Sequence, residues 1–411
     1  MQQPLLSVLV PTRERSDTLF YTLKTLVSQD YDNLEIIVSD NASQDNTQEV
    51  VESFNDPRVV YCQTGKRLGM SQNWEFGLSK IKGDFLSVIG DDDGFLPHAM
   101  PDIATLLAET HSNALIWQKA SYDWPGIPDV PHRLTCPLRN ELVKMAPKLL
   151  LWMVAKGYTS YGRLPVLYSG FVSTECINPV KVRTGAFFHS NTPDVYSGIV
   201  LANMLDEYLY STRPFSINGG SKHSNGISGQ KDTNRESAKR FFDETEQPIH
   251  GEIPIIQGSI ASYVAESFLQ AEERDLTGNL RLDRQRYHRQ IFAELLNNDA
   301  LIRQEGLVKL GSLRISKKLA GKVNLAIGST QQEQASTTNN SATSRFDGHS
   351  LTVNCDNFAI SDVFEASNLA TKILGPYERP ERCLKYNFAT LVLRGVERVL
   401  QKKLFGAGLP F

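Results

Sequence analysis

The sequence predicts an α/β fold, a mainly parallel sheet flanked by helices, with a mainly helical extension behind it. Short apolar runs alternate with amphipathic segments four times within the first ninety residues, the pattern of parallel strands joined by helical crossovers. From about residue 234 the pattern becomes helical. At 411 residues the chain exceeds one ordinary core, so we expect a main domain with an appended one.

The first four strands follow from apolar runs. The first covers residues 5–10, and the helix after it runs through Val27 because Ser16 or Asp17 can cap it. The next elements alternate in the same way, with strands at 34–38, 59–62 and 85–89 and helices near 48–54 and 71–81. Because carboxyl ends of parallel strands meet at one edge, we expect the four following loops to converge there.

The fourth strand ends in three consecutive carboxylates, Asp91, Asp92 and Asp93. Adjacent negative charges repel one another unless a cation or a set of donors offsets them. Mg²⁺ or Mn²⁺ held by one or two carboxylates, with water and substrate phosphates completing the shell, is common at phosphate-handling sites. The alternative is a solvated acidic turn that caps the next helix, and the buried strand ahead of the triplet favours the metal site.

Polar residues in the other loops indicate a nucleotide pocket. Asp40 can accept hydrogen bonds from a base or ribose, Thr12 and the backbone after Pro11 can line a base, and Lys66 or Arg67 can face phosphate. Each has a structural alternative, an Asx turn for Asp40 and solvated loop charges for the two cations. The glycine fingerprints of dinucleotide-binding and P-loop proteins are missing, which disfavours NAD and P-loop chemistry.

The overall composition narrows the possible classes of protein further. A net charge of −3 with 22% charged residues gives no reason to expect a nucleic-acid partner. The five cysteines are scattered and contain no Cys-x-x-Cys pair, which argues against a disulfide framework and favours a reducing cytoplasm. The first strand starts at Leu5 and no apolar run approaches the roughly 20 residues of a membrane span. We therefore expect a soluble cytoplasmic protein, attached at most to a surface.

Several motifs, taken in order, carry a family resemblance. They are Ser7-Val8-Leu9-Val10-Pro11-Thr12, then Glu35 to Thr47, Gly69 to Asn73, Gly83-Asp84 and the Asp91-Asp92-Asp93 triplet. This ordered set resembles glycosyltransferase family 2, whose members have the GT-A fold. The resemblance is close over about the first hundred residues and looser to about residue 230. Arg13 and Glu14 stand where the family usually has Tyr-Asn.

The resemblance implies transfer of a sugar, with inversion, from a UDP, GDP or dTDP sugar to a hydroxyl of a glycan or lipid-linked acceptor. Such a reaction belongs to polysaccharide, lipopolysaccharide or glycan biosynthesis. It further implies Mn²⁺ or Mg²⁺ at Asp91 and Asp93, with His223 from a late glycine-rich loop as a third ligand. The cation offsets charge on the departing nucleotide diphosphate. The implied nucleotide-sugar contacts are Pro11, Thr12, Arg13, Glu14, Asp40, Arg67, Asn73, Asp91 and Asp92.

A second acidic candidate stands at a clear helix start. Thr192 suits the N-cap and Pro193 the first helical position, which puts Asp194 in the first turn. In family 2 an acidic residue at the start of a helix in this part of the fold is the general base, and Asp194 matches it. The alternative is that Asp194 only complements the helix dipole.

The expected domain order has four parts. The GT-A catalytic domain covers residues 1–233, its nucleotide-sugar side to about 115 and its acceptor side, with a helix at 141–155, over 116–233. A helical extension (234–327), a flexible linker (328–345) and a C-terminal segment (346–411) follow. The last contains a basic amphipathic helix at 388–405 that favours either a peripheral contact at the inner face of the membrane or docking on the protein itself.

Two other functions remain open on the sequence. A sugar-nucleotide pyrophosphorylase shares a similar sheet, but its glycine-rich first loop with a downstream Arg and Lys is absent after Val10. A catalytically silent sugar-nucleotide binding or scaffold protein is the other alternative. The presence of Asp91, Asp93, Asp194 and His223 together argues against it.

Overall fold

A computed structural model describes residues 3–128, 130–168, 170–224, 247–329, 344–380 and 383–385. The strands are β1 Leu6–Thr12, β2 Leu34–Asp40, β3 Val59–Gln63, β4 Phe85–Val88, β5 Gly94–Phe95, β6 Ala114–Trp117, β7 Ala120–Asp123, β8 Arg133–Pro137, β9 Leu142–Met145, β10 Gly170–Ser173, β11 Tyr208–Ser211, β12 Ser216–Gly220, β13 Arg345–Phe346, β14 Ser350–Asn354 and β15 Cys383–Lys385. The helices are α1 Ser16–Val27, α2 Thr47–Glu52, α3 Met70–Leu78, α4 Ala99–Thr110, α5 Pro147–Ala155, α6 Asn178–Thr184, α7 Pro193–Met204, α8 Ile260–Glu273, α9 Arg284–Leu295, α10 Ala300–Ser312, α11 Lys317–Ser329 and α12 Val363–Leu374.

The larger sheet has nine strands in the order β15-β9-β11-β6-β10-β4-β1-β2-β3. Strands β4, β1, β2 and β3 run parallel to one another, whereas β10 is antiparallel to both of its neighbours. Side chains on both faces of β1 are buried, as expected for a strand covered by helices. This mixed, mainly parallel sheet confirms the predicted fold class, and its register pairs Thr12 with Asp40 at the carboxyl edge.

The smaller sheet has the order β13-β14-β8-β7-β12-β5. Because β4 ends at Val88 and β5 begins at Gly94, the Asp triplet crosses from one sheet to the other. On β12, a Cβ atom added at Gly219 would lie 1.8 Å from the carbonyl oxygen of Asp92. Only glycine allows the triplet and β12 to approach this closely.

Two predicted helices differ from the structure. The helix expected at 141–155 is strand β9 followed by α5, because β9 pairs with β11 and Pro147 begins a new helix. The apolar pattern after Pro193 predicts a helix that continues to near Tyr210, but the helix ends at Met204, because residues 208–211 form β11 between β9 and β6. Strand pairing over a distance outweighed the local helical pattern in both cases.

Beyond the sheets, helices pack in succession: α8 against α7, α9 against α8, α10 against α9 and α11 against α10. The C-terminal part returns to the sheets, since β14 pairs with β8, β15 pairs with β9 and α12 packs against α1. The predicted domain boundaries stay predictions, and most of the predicted linker and the helix at 388–405 lie outside the described residues. Among the described helices, none is long and apolar enough to cross a membrane.

Candidate active site

Asp91 is held by two side chains from the end of β1 and the start of α1. The Thr12 hydroxyl donates to Asp91 Oδ2 at 2.7 Å, and Arg15 Nη1 donates to Oδ1 at 2.9 Å. Burial raises the pKa of Asp91, and the Arg15 guanidinium opposes that rise. The other end of Arg15 donates to the carbonyl oxygen of His223. One arginine therefore joins the triplet to the loop after β12.

Asp93 lies deepest in the triplet and is fully buried. Its Oδ1 accepts from the Gly219 N–H at 2.7 Å, and its Oδ2 accepts from the Gly90 N–H at 2.8 Å and the Tyr168 hydroxyl at 2.5 Å. Burial and the neighbouring Asp92 carboxylate raise the pKa of Asp93 to about 7. Negative charge at this carboxylate is therefore poorly compensated by the protein alone.

Asp92 faces the loop after β12. Its Oδ2 accepts from the hydroxyls of Ser221, at 2.7 Å, and Ser224, while its carbonyl accepts from Trp124 Nε1 at 3.0 Å. The three adjacent carboxylates thus use separate sets of partners. Since the triplet is 0–4% exposed, it is a buried site and the predicted alternative of a solvated acidic turn is wrong.

Asp40 lies at the carboxyl end of β2 and is 1% exposed. Its Oδ1 accepts from the Ser43 N–H at 3.0 Å, and its Oδ2 accepts from the Tyr61 hydroxyl at 2.6 Å and from Gln63 Nε2 at 3.2 Å. The Asx-type bond to Ser43 is the structural alternative considered from the sequence. The predicted base or ribose contact stays a prediction, for which Oδ1 keeps a second lone pair.

Asn73 packs α3 onto β2. Its Oδ1 accepts from the Ser39 hydroxyl at 2.7 Å, and its Nδ2 donates to the Ser39 carbonyl at 3.2 Å. The side chain is buried. This pairing accounts for the asparagine structurally, and its predicted nucleotide contact stays a prediction.

Glu14 and Arg67 meet at the rim of the same edge. Arg67 Nη2 lies 2.7 Å from Glu14 Oε1, and Glu14 Oε2 accepts from the backbone N–H groups of Gln44 and Asp45. Glu14 has a φ of 53°, an uncommon conformation for a residue with a side chain. Arg13 and Pro11 are partly buried beside it. The four residues stand where a nucleotide contact was predicted.

His223 is near the triplet through its backbone but not through its ring. Its N–H donates to the Ser221 hydroxyl and its carbonyl accepts from Arg15, whereas its Nε2 faces Asp17 Oδ2 at 3.4 Å. Within the described ranges, no three His, Cys, Asp or Glu side chains form a group able to hold a metal ion. The predicted third ligand therefore has its ring directed to Asp17, away from the triplet.

The side chains of Asp91 and Asp93 nevertheless have the chemistry of divalent-cation ligands. Carboxylate oxygens are preferred ligands of Mg²⁺ and Mn²⁺, and Mg²⁺ commonly uses one or two of them together with substrate phosphates. The raised pKa values of Asp91 and Asp93, caused first by burial, mark negative charge that a cation would offset.

Asp194 is in the first turn of α7, as predicted, and is partly buried. The Tyr161 hydroxyl donates to its Oδ2 at 3.5 Å. Burial raises the pKa of Asp194, while the Val195 N–H and the charge of Lys119 oppose that rise. This carboxyl group has few close partners, so it keeps the capacity to accept a proton.

Lys119 links the two acidic sites. It lies in the connection from β6 to β7, and its Nζ is 4.7 Å from the centre of the Tyr168 ring. Burial lowers its pKa, and the charges of Asp93 and Asp194 counteract that effect. Tyr168, whose hydroxyl bonds to Asp93, also stacks on Trp74 with ring centres 6.3 Å apart. The Lys119 cation therefore lies over the ring whose hydroxyl bonds to Asp93, and it interacts electrostatically with both carboxylates.

Sequence reasoning missed Arg15, Lys119, Tyr161 as an Asp194 partner, and Tyr168. Lys119 comes two residues after a buried strand, near a strand end as the Asp triplet does, and that position was an available signal. Tyr168 sits in an irregular stretch, where no local pattern indicates its partner. Arg15 lies in the loop between the first strand and the first helix, where no local pattern indicates a bond to Asp91.

These features define an α/β protein with an acidic site where parallel strands end, a common location for ligand binding. Residues 7–163 match the family model described as Glycosyl transferase family 2. This part of the chain is therefore a family 2 glycosyltransferase domain.

Curated relatives match about a quarter of the chain. The chain is 38% identical over 100 residues, 24% of its length and 32% of the relative, to a GalNAc(5)-diNAcBac-PP-undecaprenol beta-1,3-glucosyltransferase of Campylobacter jejuni. It is 31% identical over 109 residues, 25% of its length and 32% of the relative, to the abequosyltransferase RfbV of Salmonella typhimurium. The chain thus spans about a third of the length of these relatives.

Solved structures are similar over a longer range but at lower identity. Staphylococcus aureus TarS 1–349 in complex with UDP-GlcNAc has 14% identity and a TM-score of 0.43, covering 79% of this chain and 87% of that one. A Pyrobaculum calidifontis mannosyltransferase in complex with GDP-Man and Mn²⁺ has 14% identity and a TM-score of 0.42, covering 79% and 85%.

Proposed function

We propose that the protein is an inverting, metal-dependent glycosyltransferase that moves a sugar from a nucleotide diphosphate sugar to an acceptor hydroxyl. The observation that carries the proposal is the pair of acidic sites, Asp91 to Asp93 and Asp194, with the Lys119 cation electrostatically coupled to Asp93 and Asp194. The family 2 match of residues 7–163 supports the same reaction class.

The donor binds along the carboxyl edge of β1, β2 and β4 in this proposal. Asp40 accepts hydrogen bonds from the base or ribose, and Pro11, Thr12 and Arg13 line the nucleotide. Arg67 exchanges its ion pair with Glu14 for the donor diphosphate, since both side chains are accessible at the rim. Asp91 and Asp93 would hold Mn²⁺ or Mg²⁺, and a cation bound there would supply positive charge to stabilise the leaving nucleotide diphosphate.

Asp194 acts as the general base. It removes the proton of the acceptor hydroxyl as that oxygen bonds to the anomeric carbon, and the bond from this carbon to the diphosphate oxygen breaks. Attack from the side opposite the leaving group inverts the anomeric centre. The rise in the pKa of Asp194 through burial suits this role, because a base works best with a pKa near the operating pH.

A lipid-linked acceptor at the inner face of the membrane is the proposed acceptor class. Its support comes from relatives whose names specify diphosphoundecaprenol acceptors, in Campylobacter jejuni and Escherichia coli. The predicted membrane contact at 388–405 belongs to the same proposal. Cytoplasmic location follows from it, because nucleotide sugars are made there.

A thermal-shift screen of UDP-, GDP-, dTDP- and CMP-sugars, with and without Mn²⁺, tests the donor. Hydrolysis of the stabilising donor is then measured in the wild type and in Asp194→Asn. We expect one nucleotide to stabilise the protein more strongly with Mn²⁺, and slow hydrolysis that the variant loses. Binding without turnover would favour the silent binding protein, and nucleoside triphosphate formed from the sugar nucleotide and pyrophosphate would favour the pyrophosphorylase.

A further inference from the structure

Positive charge is concentrated near the C-terminal end of the chain. Residues 300–329 contain six Lys and Arg against one Glu, a net charge of +5, and residues 381–411 contain six against two, a net charge of +4. The whole chain carries −3, so the remaining residues carry −12. Such an asymmetry indicates an acidic partner for one part of the molecule.

The first of these segments is a pair of packed helices, α10 and α11, which we call the basic hairpin (residues 300–329). Its inner side is apolar, with Leu307, Leu310, Leu319 and Val323 between 0 and 5% exposed. The side of α11 away from this core carries exposed Lys318 and Lys322. Leu325, which is 77% exposed, lies one turn beyond Lys322 on the same face.

Four of the six cations of the basic hairpin lie away from acidic side chains. Across the described ranges, Arg314, Lys317, Lys318 and Lys322 form no ion pair, although ion pairs are common elsewhere on the surface. Val308 on α10 is 54% exposed. These four cations and the aliphatic side chains of Val308 and Leu325 are therefore exposed on the hairpin.

We propose that the basic hairpin docks on an anionic lipid surface. Amphipathic helices bind such surfaces through Lys and Arg attracted to acidic headgroups and through aliphatic side chains that enter the interface. The hairpin offers both kinds of group on its exposed side. This inference goes beyond the proposed function and does not depend on it, because lipid binding requires no substrate.

Two other binding partners fit the exposed side of the basic hairpin less well. The hairpin contains no aromatic residue, whereas proteins that bind single-stranded nucleic acid usually stack bases on aromatic side chains. The chain's own residues 381–411 carry the same sign of charge as the hairpin, so the two segments repel each other. An anionic membrane complements both.

The position of the basic hairpin in the fold determines how lipid docking acts on the rest of the protein. It terminates the succession of packed helices that begins with α7, the helix whose first turn contains Asp194. Each pair in this succession is in direct contact, so docking at the hairpin constrains the orientation of α7 relative to the lipid surface.

The test compares two variants of the full chain that remove the same charge. The hairpin variant is R314Q/K317Q/K318Q/K322Q, and the control is K80Q/K82Q/K148Q/K372Q, in which four exposed lysines elsewhere are replaced. Co-sedimentation is measured with vesicles of phosphatidylglycerol and phosphatidylcholine, and with phosphatidylcholine alone. Fluorescence anisotropy with a labelled single-stranded oligonucleotide is measured in parallel, and thermal unfolding checks that both variants fold.

We expect the wild type and the control to bind the anionic vesicles at low salt, and the hairpin variant to bind about 100-fold more weakly. Vesicles of phosphatidylcholine alone should retain none of them. Equal binding by the hairpin variant and the wild type would overturn the proposal, since another surface would then be responsible. Failure of the wild type to bind, or binding to the oligonucleotide in place of vesicles, would overturn it as well.

Discussion

The Asp triplet and the start of α7 are two acidic sites built in opposite ways. Asp93 accepts three hydrogen bonds between 2.5 and 2.8 Å, and Asp91 accepts two, one of them from a guanidinium. Asp194 has a tyrosine hydroxyl at 3.5 Å and the backbone N–H groups of Val195 and of Asp194 itself. The triplet is held in position from several sides, while Asp194 keeps most of its accepting capacity.

This difference separates binding from proton transfer. A group that orients a ligand gains from short, charge-assisted bonds that fix its geometry. A general base needs a lone pair that no strong donor occupies, because it must take up a proton during the reaction. Lys119 affects both sites, and substitutions can therefore distinguish loss of geometry, loss of the base and loss of the shared charge.

Asp194→Asn should have the largest effect. An amide cannot accept the acceptor's proton, so we expect transfer to fall by about 10² to 10⁴. Donor binding, measured by calorimetry, should be unchanged because the triplet is intact. Near-normal turnover would place the base elsewhere, with Glu175 and His189 as the next acidic or basic candidates.

The main effect of Asp93→Ala should be on donor binding rather than on proton transfer. Its loss removes a cation ligand and leaves the Gly90 and Gly219 N–H groups unpaired, so we expect kcat/KM to fall by about 10² to 10³ and the free energy of unfolding by about 1 to 3 kcal/mol. Calorimetry with donor nucleotide and Mn²⁺ should show weaker, metal-independent binding. Asp206→Ala, at a carboxylate that is 92% exposed, is the matched control. Unchanged metal-dependent affinity in a folded variant would contradict the metal role.

The pH profile of the Lys119→Met variant should show how the charge of Lys119 acts on Asp194. Asp194 must be ionised to act as a base, so the rate rises with pH through its pKa. Burial raises this pKa and Lys119 lowers it. Without the cation, the acid limb of the profile should therefore move to higher pH, and the rate near neutral pH should fall by about tenfold. Lys119→Arg retains the charge and should restore the position of the limb; an unshifted limb in the methionine variant would show that Lys119 acts only through packing.

Tyr161→Phe should have the smallest effect. Its hydroxyl lies 3.5 Å from Asp194 Oδ2, at the outer limit of a hydrogen bond. We expect a two- to fivefold lower rate, about what one weak hydrogen bond contributes, with the acid limb displaced slightly upward. A loss as large as that of Asp194→Asn would mean that the tyrosine takes part in the reaction itself.

Local patterns explain why much of the framework was predictable. The parallel strands were visible as apolar runs ending in Gly, Pro or Asp, because buried strands need side chains that both faces of a sheet can cover. The start of α7 was predictable because Thr192 and Pro193 suit the first positions of a helix. The two acidic sites were found in the same way, since each directly follows such a signal.

By itself the sequence determined the α/β class, the position of the Asp triplet at a strand end and the helical start that presents Asp194. Tertiary structure alone decided which partners these carboxylates have. Arg15 reaches Asp91 across 76 positions of the chain, and Gly219 reaches Asp93 across 126. Tertiary structure also decided that the His223 ring faces Asp17 and that residues 142–145 form a strand instead of the predicted helix. The pairing of β14 in the smaller sheet has the same origin. The physical reason is that propensity and periodicity act over a few residues, whereas hydrogen bonds and charges act between groups that only the folded chain brings together.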